Sequence, residues 1–374
     1  MRIIADENMP LAAELFGDHG QVVRLPGRSL RPADVQEADV LLVRSITRVD
    51  ASLLAGSRVR FVGSATIGTD HLDTAWLDAQ GIAWANAPGC NAEAVAEYVL
   101  ASLLVLGERD GVPLGNRTVG IIGAGHVGSA LAGKLAALGV RFCLNDPPLA
   151  QTGRDPRAFV GLDEALACDV VTLHVPLTRE GAWPTHHLID DTRLRQLKPG
   201  AILLNASRGG VVDNAALQAH LAGGAALSAV LDVWEGEPAI RRELALRVAL
   251  ATPHIAGYSL DGKLRGTRLI YRACARHFGW EASSGTASLP TQDVLHAVVE
   301  DDSETALRQL VLACYDPRRD DLALRASLDE PEPGRAFDGL RKHYPVRREF
   351  SAWSVTAPAA VGERLARLGF TVPR

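Results

Sequence analysis

Three glycines and three charged side chains, each just past a short apolar run, carry most of the chemistry this 374-residue sequence can offer. The glycines are Gly123, Gly125 and Gly128 in Gly-Ile-Ile-Gly-Ala-Gly-His-Val-Gly, directly after the apolar run at 118–122. A G-x-G-x-x-G turn between a strand and a helix lets a pyrophosphate approach backbone N–H groups at the positive end of that helix. Gly123, Gly125, His126, Val127 and Gly128 are therefore read as a dinucleotide cradle. Asp146 closes the next apolar run, 18 positions after Gly128, where a carboxylate accepts from a ribose 2′-hydroxyl and repels a 2′-phosphate. That choice favours NAD over NADP.

The charged residues follow later runs. Arg208 lies in Asn-Ala-Ser-Arg-Gly-Gly, and its planar fork suits bidentate binding of a carboxylate. An acid lies in Asp-Val-Trp-Glu-Gly-Glu-Pro (232–238) and a histidine in Thr-Pro-His-Ile-Ala-Gly (252–257). A carboxylate beside an imidazole favours the charged ring and tunes it for proton exchange. Hydride transfer at a carbinol carbon needs such a base and a cation to polarise the forming carbonyl.

The elements that must position these groups read as α/β. Short apolar runs at 3–4, 40–43 and 60–62 alternate with helical stretches, and six candidate strands follow: 118–122, 141–145, 170–174, 201–205, 227–231 and 248–251. Helical patterns lie between them, as at 129–138 and 214–221. This rhythm predicts parallel sheets and a doubly wound Rossmann-type domain. Residues 93–106 are apolar nearly all round and predict a buried helix, fit to cross between domains. The stretch 282–286 reads as a linker, and the Pro-rich remainder as a separate C-terminal unit.

Composition narrows the classes. A net charge of −5 and a pI near 6.1 give no footprint for nucleic acid. An acidic pair, Asp6-Glu7, stands where a signal peptide would carry its apolar region, and no apolar run reaches the ~20 residues of a membrane span. Five scattered cysteines without a C-x-x-C suit free thiols in a reducing compartment. The expectation is a soluble, cytoplasmic protein with no nucleic-acid or membrane partner. His186-His187 lacks a third ligand at zinc-like spacing, so no metal is expected.

Taken together and in this order, the Gly-rich turn and the 205–210, 232–238 and 252–257 segments resemble the D-isomer-specific 2-hydroxyacid dehydrogenases. The resemblance implies an NAD-dependent enzyme with Arg208 on the substrate carboxylate and carbonyl, His254 as acid/base and Glu237, the acid before proline, as its partner. It further implies cofactor contacts from Val175, Ala206, Ser207, Asp232 and Gly257. Three domains are implied: a flavodoxin-like substrate domain at 1–92 with 255–280 returning to it, the NAD-binding domain at 93–254, and a small α+β dimerisation domain at 286–374.

Within the family, the start at 3–10, Tyr258 after Ala256-Gly257, and segments 315–321 and 337–349 look like members that oxidise a phosphorylated sugar acid. Arg44, Ser45, Thr66 and Tyr258 are then expected to bind that substrate. From spacing alone, Ser45 and Thr66 fit plain turn capping. The basic positions 341–342 and 347–348 are expected on a solvated face or reaching a partner's active site. A 3-phosphoglycerate or other D-2-hydroxyacid dehydrogenase, and a non-catalytic NAD-binding regulator, are the competing readings.

Overall fold

A computed structural model describes residues 1–281, 295–301 and 303–373. The chain forms two compact units, one containing Met1–Asn91 with the segment that begins at Ser259, the other Ala92–Tyr258 with the C-terminal segment. The expected linker at 282–286 lies outside the described residues.

In the first unit the strands are β1 (Arg2–Asp6), β2 (Gln21–Leu25), β3 (Val40–Val43), β4 (Phe61–Ser64) and β5 (Ala83–Ala85). They pair in parallel in the order β2-β1-β3-β4-β5, the flavodoxin-like arrangement. All four residues of β3 and of β4 are buried, as expected of strands covered on both faces. The helix Leu260–Phe278 returns to this unit and lays Ile270, Tyr271 and Cys274 into its core. A Cβ on Gly63 would stand 2.2 Å from Ile270, so glycine permits that approach.

The second unit holds β6 (Thr118–Ile122), β7 (Arg141–Asn145), β8 (Val170–Leu173), β9 (Ala201–Asn205), β10 (Leu227–Leu231) and β11 (Leu250–Ala251). All pair in parallel, in the order β11-β10-β9-β8-β6-β7. The order reverses at β6, which places the Gly-rich turn at the switch point where such sheets bind ligands. Helix His126–Ala137 begins three residues before the expected 129, because Gly125 serves as its N-cap. β11 starts at Leu250 rather than 248, since Val248 closes the helix Arg242–Arg247. Helix Ala92–Asp110 is buried along most of its length and packs beside His126–Ala137.

The C-terminal segment is α+β: β12 (Leu295–Val298) pairs in parallel with β13 (Trp353–Thr356) among four helices. Two of these helices, Pro317–Ser327 and Pro333–Lys342, begin on proline, whose fixed φ suits the first turn. The segment does not keep its apolar residues to itself. Leu310, Val311, Phe350, Leu365 and Leu368 join the core around helices Ala92–Asp110 and His126–Ala137. Lys134 Nζ donates to Leu368 O at 2.7 Å, and Phe350 N to Glu97 Oε1 at 2.9 Å. On the helix Glu304–Cys314, Leu310 and Val311 are buried in this core, and Ala306, Leu307 and Leu312 pack against it.

Candidate active site

The Gly-rich turn is built for close approach. Gly123 has φ +92°, and a Cβ there would lie 2.6 Å from the His174 carbonyl; one on Gly128 would lie 2.0 Å from Gly123 O. Gly125 meets nothing within 4 Å, which leaves its backbone open beside the exposed His126. Asp146 ties this turn to β7: Oδ2 accepts from Ala124 N at 2.9 Å and Oδ1 caps the next helix through Leu149 N at 3.0 Å. Each oxygen keeps a second lone pair, so the carboxylate still suits a ribose hydroxyl. Val175 follows β8, half-buried. Burial pushes neighbouring His174 down to about 3, so that ring is neutral, bonded to Thr172 at 2.9 Å.

Past β9 the chain turns on itself. Asn205 Oδ1 accepts from both N and Oγ of Ser207, at 3.1 and 2.8 Å, and Asn205 Nδ2 donates to Arg208 O. Arg208 Nη1 donates to Ser207 O at 2.8 Å. A Cβ on Gly209 would come within 2.0 Å of the Trp234 backbone, so this turn is packed directly on the one after β10. Ala206 is half-buried beside it.

Beyond β10, two acids separate by role. Glu237 Oε2 lies 2.7 Å from His254 Nδ1, while Oε1 accepts from Trp234 N at 2.8 Å. Burial raises this carboxyl, but the His254 charge and hydrogen bond, with Arg341 nearby, outweigh it and hold the group below its ordinary range. Glu235 instead bonds His187 Nε2 at 2.7 Å and accepts from Asn214 N at 2.9 Å. His186, His187 and Glu235 thereby come within 4.8 Å of one another, a third ligand that linear spacing hid. Both Glu235 oxygens are engaged in protein hydrogen bonds, so the trio reads as a clasp between loops.

Asp232, for which the resemblance implies a cofactor contact, is buried and bonded to the turn that carries His254. Its buried carboxylate accepts from Thr252 Oγ1 at 2.6 Å, Ile255 N at 2.8 Å and Ala256 N at 3.0 Å. These bonds hold His254 at φ +57°. Gly257 and Tyr258 follow, both half-buried.

In the first unit, Arg44 is buried and its Nε lies 3.0 Å from Asp6 Oδ1. Ser45 is exposed just beyond it. Thr66 shares a 2.8 Å hydrogen bond with Ser64 Oγ and donates to Gly68 O at 3.2 Å. Sequence reasoning missed Lys263 here. Burial, then the charge of Arg44, push its amine down to about 8, with Asp6 acting the other way. A lone lysine in a helix's first turn carries no linear signal to separate it from a solvated one. Of the basic positions expected on a solvated face or at a partner's site, Lys342 is exposed, whereas Arg347 turns inward and donates to Ala256 O at 3.0 Å and Ala94 O at 2.7 Å.

What this geometry can do is bind a dinucleotide at β6 and exchange a proton at His254. Residues 105–256 match the NAD-binding domain model of the D-isomer specific 2-hydroxyacid dehydrogenases, and 289–369 match a domain of unknown function, DUF3410. The erythronate-4-phosphate dehydrogenase of Azotobacter vinelandii is 53% identical over 361 residues, covering 95% of this chain and 94% of its own. The solved TT0316 protein of Thermus thermophilus has a TM-score of 0.64 at 30% identity, over 75% of this chain and 98% of its own. The D-lactate dehydrogenase of Aquifex aeolicus, solved with NAD and lactic acid, has a TM-score of 0.62 at 25% identity, over 75% and 96%. The cofactor is NAD, and the chain belongs to the erythronate-4-phosphate dehydrogenases within the D-isomer specific 2-hydroxyacid dehydrogenase family.

Proposed function

We propose that the chain oxidises the C2 hydroxyl of 4-phospho-D-erythronate to (R)-3-hydroxy-2-oxo-4-phosphobutanoate, a step toward pyridoxal 5′-phosphate. The observation that carries this reading is the 2.7 Å Glu237–His254 pair next to the Arg208 turn, in a chain that matches its relatives through the C-terminal segment. Bound NAD supplies the hydride acceptor. Arg208 holds the carboxylate and polarises the forming carbonyl. With Nδ1 given to Glu237, His254 uses Nε2 to take the hydroxyl proton as the C–H bond breaks. Gly123, Gly125, His126, Val127, Gly128, Asp146, Val175, Ala206, Ser207 and Gly257 line the cofactor; Asp232 supports the histidine turn.

Arg44, Ser45, Thr66 and Tyr258 are assigned to the substrate, with Lys263 added as a second cation beside Arg44. Met1–Asn91 with the segment that begins at Ser259 form the substrate domain, four residues later than the return expected at 255, and 286–374 is the unit through which two copies associate. The five free thiols suit the cytoplasm, and no helix among the described residues is long and apolar enough to cross a membrane. The test is turnover, read as NADH absorbance, with 4-phosphoerythronate, 3-phosphoglycerate and unphosphorylated erythronate. The first should be oxidised with the highest kcat/KM. Preference for 3-phosphoglycerate reassigns the substrate, and no turnover with any acid removes the enzymatic reading.

A further inference from the structure

The turn that follows His254 is gripped from a second direction, by the C-terminal segment. Tyr258 N donates to Ile255 O at 2.7 Å, which closes the turn around the buried Ala256. The Ala256 N–H is taken by Asp232 Oδ2 at 3.0 Å. Its carbonyl accepts from Arg347 Nη1 at 3.0 Å, while Arg347 Nη2 donates to Ala94 O at 2.7 Å, on the helix Ala92–Asp110. One planar, charged fork therefore ties together two carbonyls far apart in the chain. Arg347 belongs to the segment that matches a domain of unknown function.

The fork is itself held in place. Its central carbon lies 3.8 Å from the centroid of the Tyr315 ring, and the residue is buried. Three residues on, Phe350 N donates to Glu97 Oε1 at 2.9 Å, so the stretch 347–350 is pinned to the same helix one turn further along. His254, two residues before Ala256, sits at φ +57°, a backbone state that persists only where the surroundings impose it. Proton transfer depends steeply on position: a displacement of about 1 Å in a reacting group costs about a hundredfold. We propose that Arg347 is a positioning residue for His254, fixing the turn from which the imidazole reaches the substrate hydroxyl. The C-terminal segment then completes the proton-transfer site of its own chain. This rests on the reading of His254 as the acid/base.

The experiment is a double-mutant cycle on the full-length enzyme: wild type, Arg347→Lys, His254→Ala and the pair, with Arg347→Met beside them. Each is assayed at saturating NAD with the acid that wild type oxidises best, and its NAD affinity and thermal midpoint are measured. Arg347→Lys keeps a buried charge but not the two-pronged fork, and should lower kcat roughly tenfold with KM and NAD affinity near wild type. Arg347→Met, which loses both donors, should lower kcat roughly a hundredfold; if it does not fold, Arg347→Lys decides. In the His254→Ala background Arg347→Lys should add almost nothing, because the group it positions is gone. A folded Arg347→Lys with wild-type kcat overturns the proposal. So does a loss that multiplies in full with that of His254→Ala, the mark of a merely structural role. Preference for an acid other than 4-phosphoerythronate would instead strike the functional reading and leave the cycle in force.

Discussion

Asp232 grips the backbone on both sides of His254: its carbonyl accepts from His254 N at 2.7 Å, and its carboxylate from Ile255 N at 2.8 Å. The histidine sits at φ +57°, a conformation that non-glycine residues adopt only when the surroundings hold them there. Asp232→Asn sets an amide donor against one of three donors in a buried site. It should cost roughly 1–3 kcal/mol of stability and lower kcat, while NAD affinity stays near wild type. Thermal unfolding and cofactor titration check this; a selective loss of NAD affinity would return Asp232 to the cofactor.

The Glu237–His254 pair makes a pH-dependent prediction. Glu237 is held ionised below the ordinary carboxylate range despite its burial, so it keeps its charge and its hydrogen bond to Nδ1 as the pH falls. Oxidation should be lost only where the pH drops below that range and the carboxyl takes up its proton. Glu237→Gln removes the charge and should abolish that acid limb, with kcat lowered throughout. His254→Ala should lower kcat by about 10²–10⁴ with NAD binding retained. The measurement is a pH–rate profile with C2-deuterated substrate.

Asp146 caps a helix, and the cofactor role proposed for it can be separated from that cap by a single substitution. As an N-cap it is worth about 1 kcal/mol, and as a charge it repels a 2′-phosphate. Asp146→Ser keeps a capping oxygen and removes the charge. It should hold the thermal midpoint within a few degrees and shift the NAD/NADP ratio of kcat/KM toward NADP. An unchanged ratio would leave Asp146 with its structural role alone.

Lys263 gives substrate binding its own pH dependence. Its pKa is depressed to about 8, so the free enzyme loses this charge as pH rises through that value. KM for the phosphorylated acid should therefore increase above pH 8. Lys263→Met should flatten that rise and raise KM at pH 7. Initial rates at saturating NAD across pH 7–9, resolved into KM and kcat, check this.

Among the described residues, the C-terminal segment carries three strongly exposed apolar side chains: Val298 at 74%, Leu322 at 68% and Val346 at 71%. If two copies meet there, Leu322→Glu with Val346→Glu should yield monomers in sedimentation velocity. A dimer mass that survives both changes places the interface elsewhere. These exposed positions are better targets than truncation, which would strip Phe350 and Leu368 from the core.

Much of the fold was legible because parallel strands buried on both faces leave unmistakable apolar runs, as at 40–43 and 201–205. Boundaries slipped where a local cap decided them: Gly125 opened a helix early and Val248 closed one late.

The sequence by itself determined the residue types and their strand-end positions: a glycine turn, an acid 18 positions on, an arginine, an acid and a histidine. Those signals are local, set by backbone freedom, hydrophobic period and side-chain chemistry. Only the tertiary structure decided which charges meet. It separated Glu235, bonded to His187, from Glu237, bonded to His254, although two positions divide them in the chain. It also drew Lys263 toward Arg44 and Arg341 toward Tyr258. Electrostatics acts through space over a few ångströms, and a linear pattern does not record those distances.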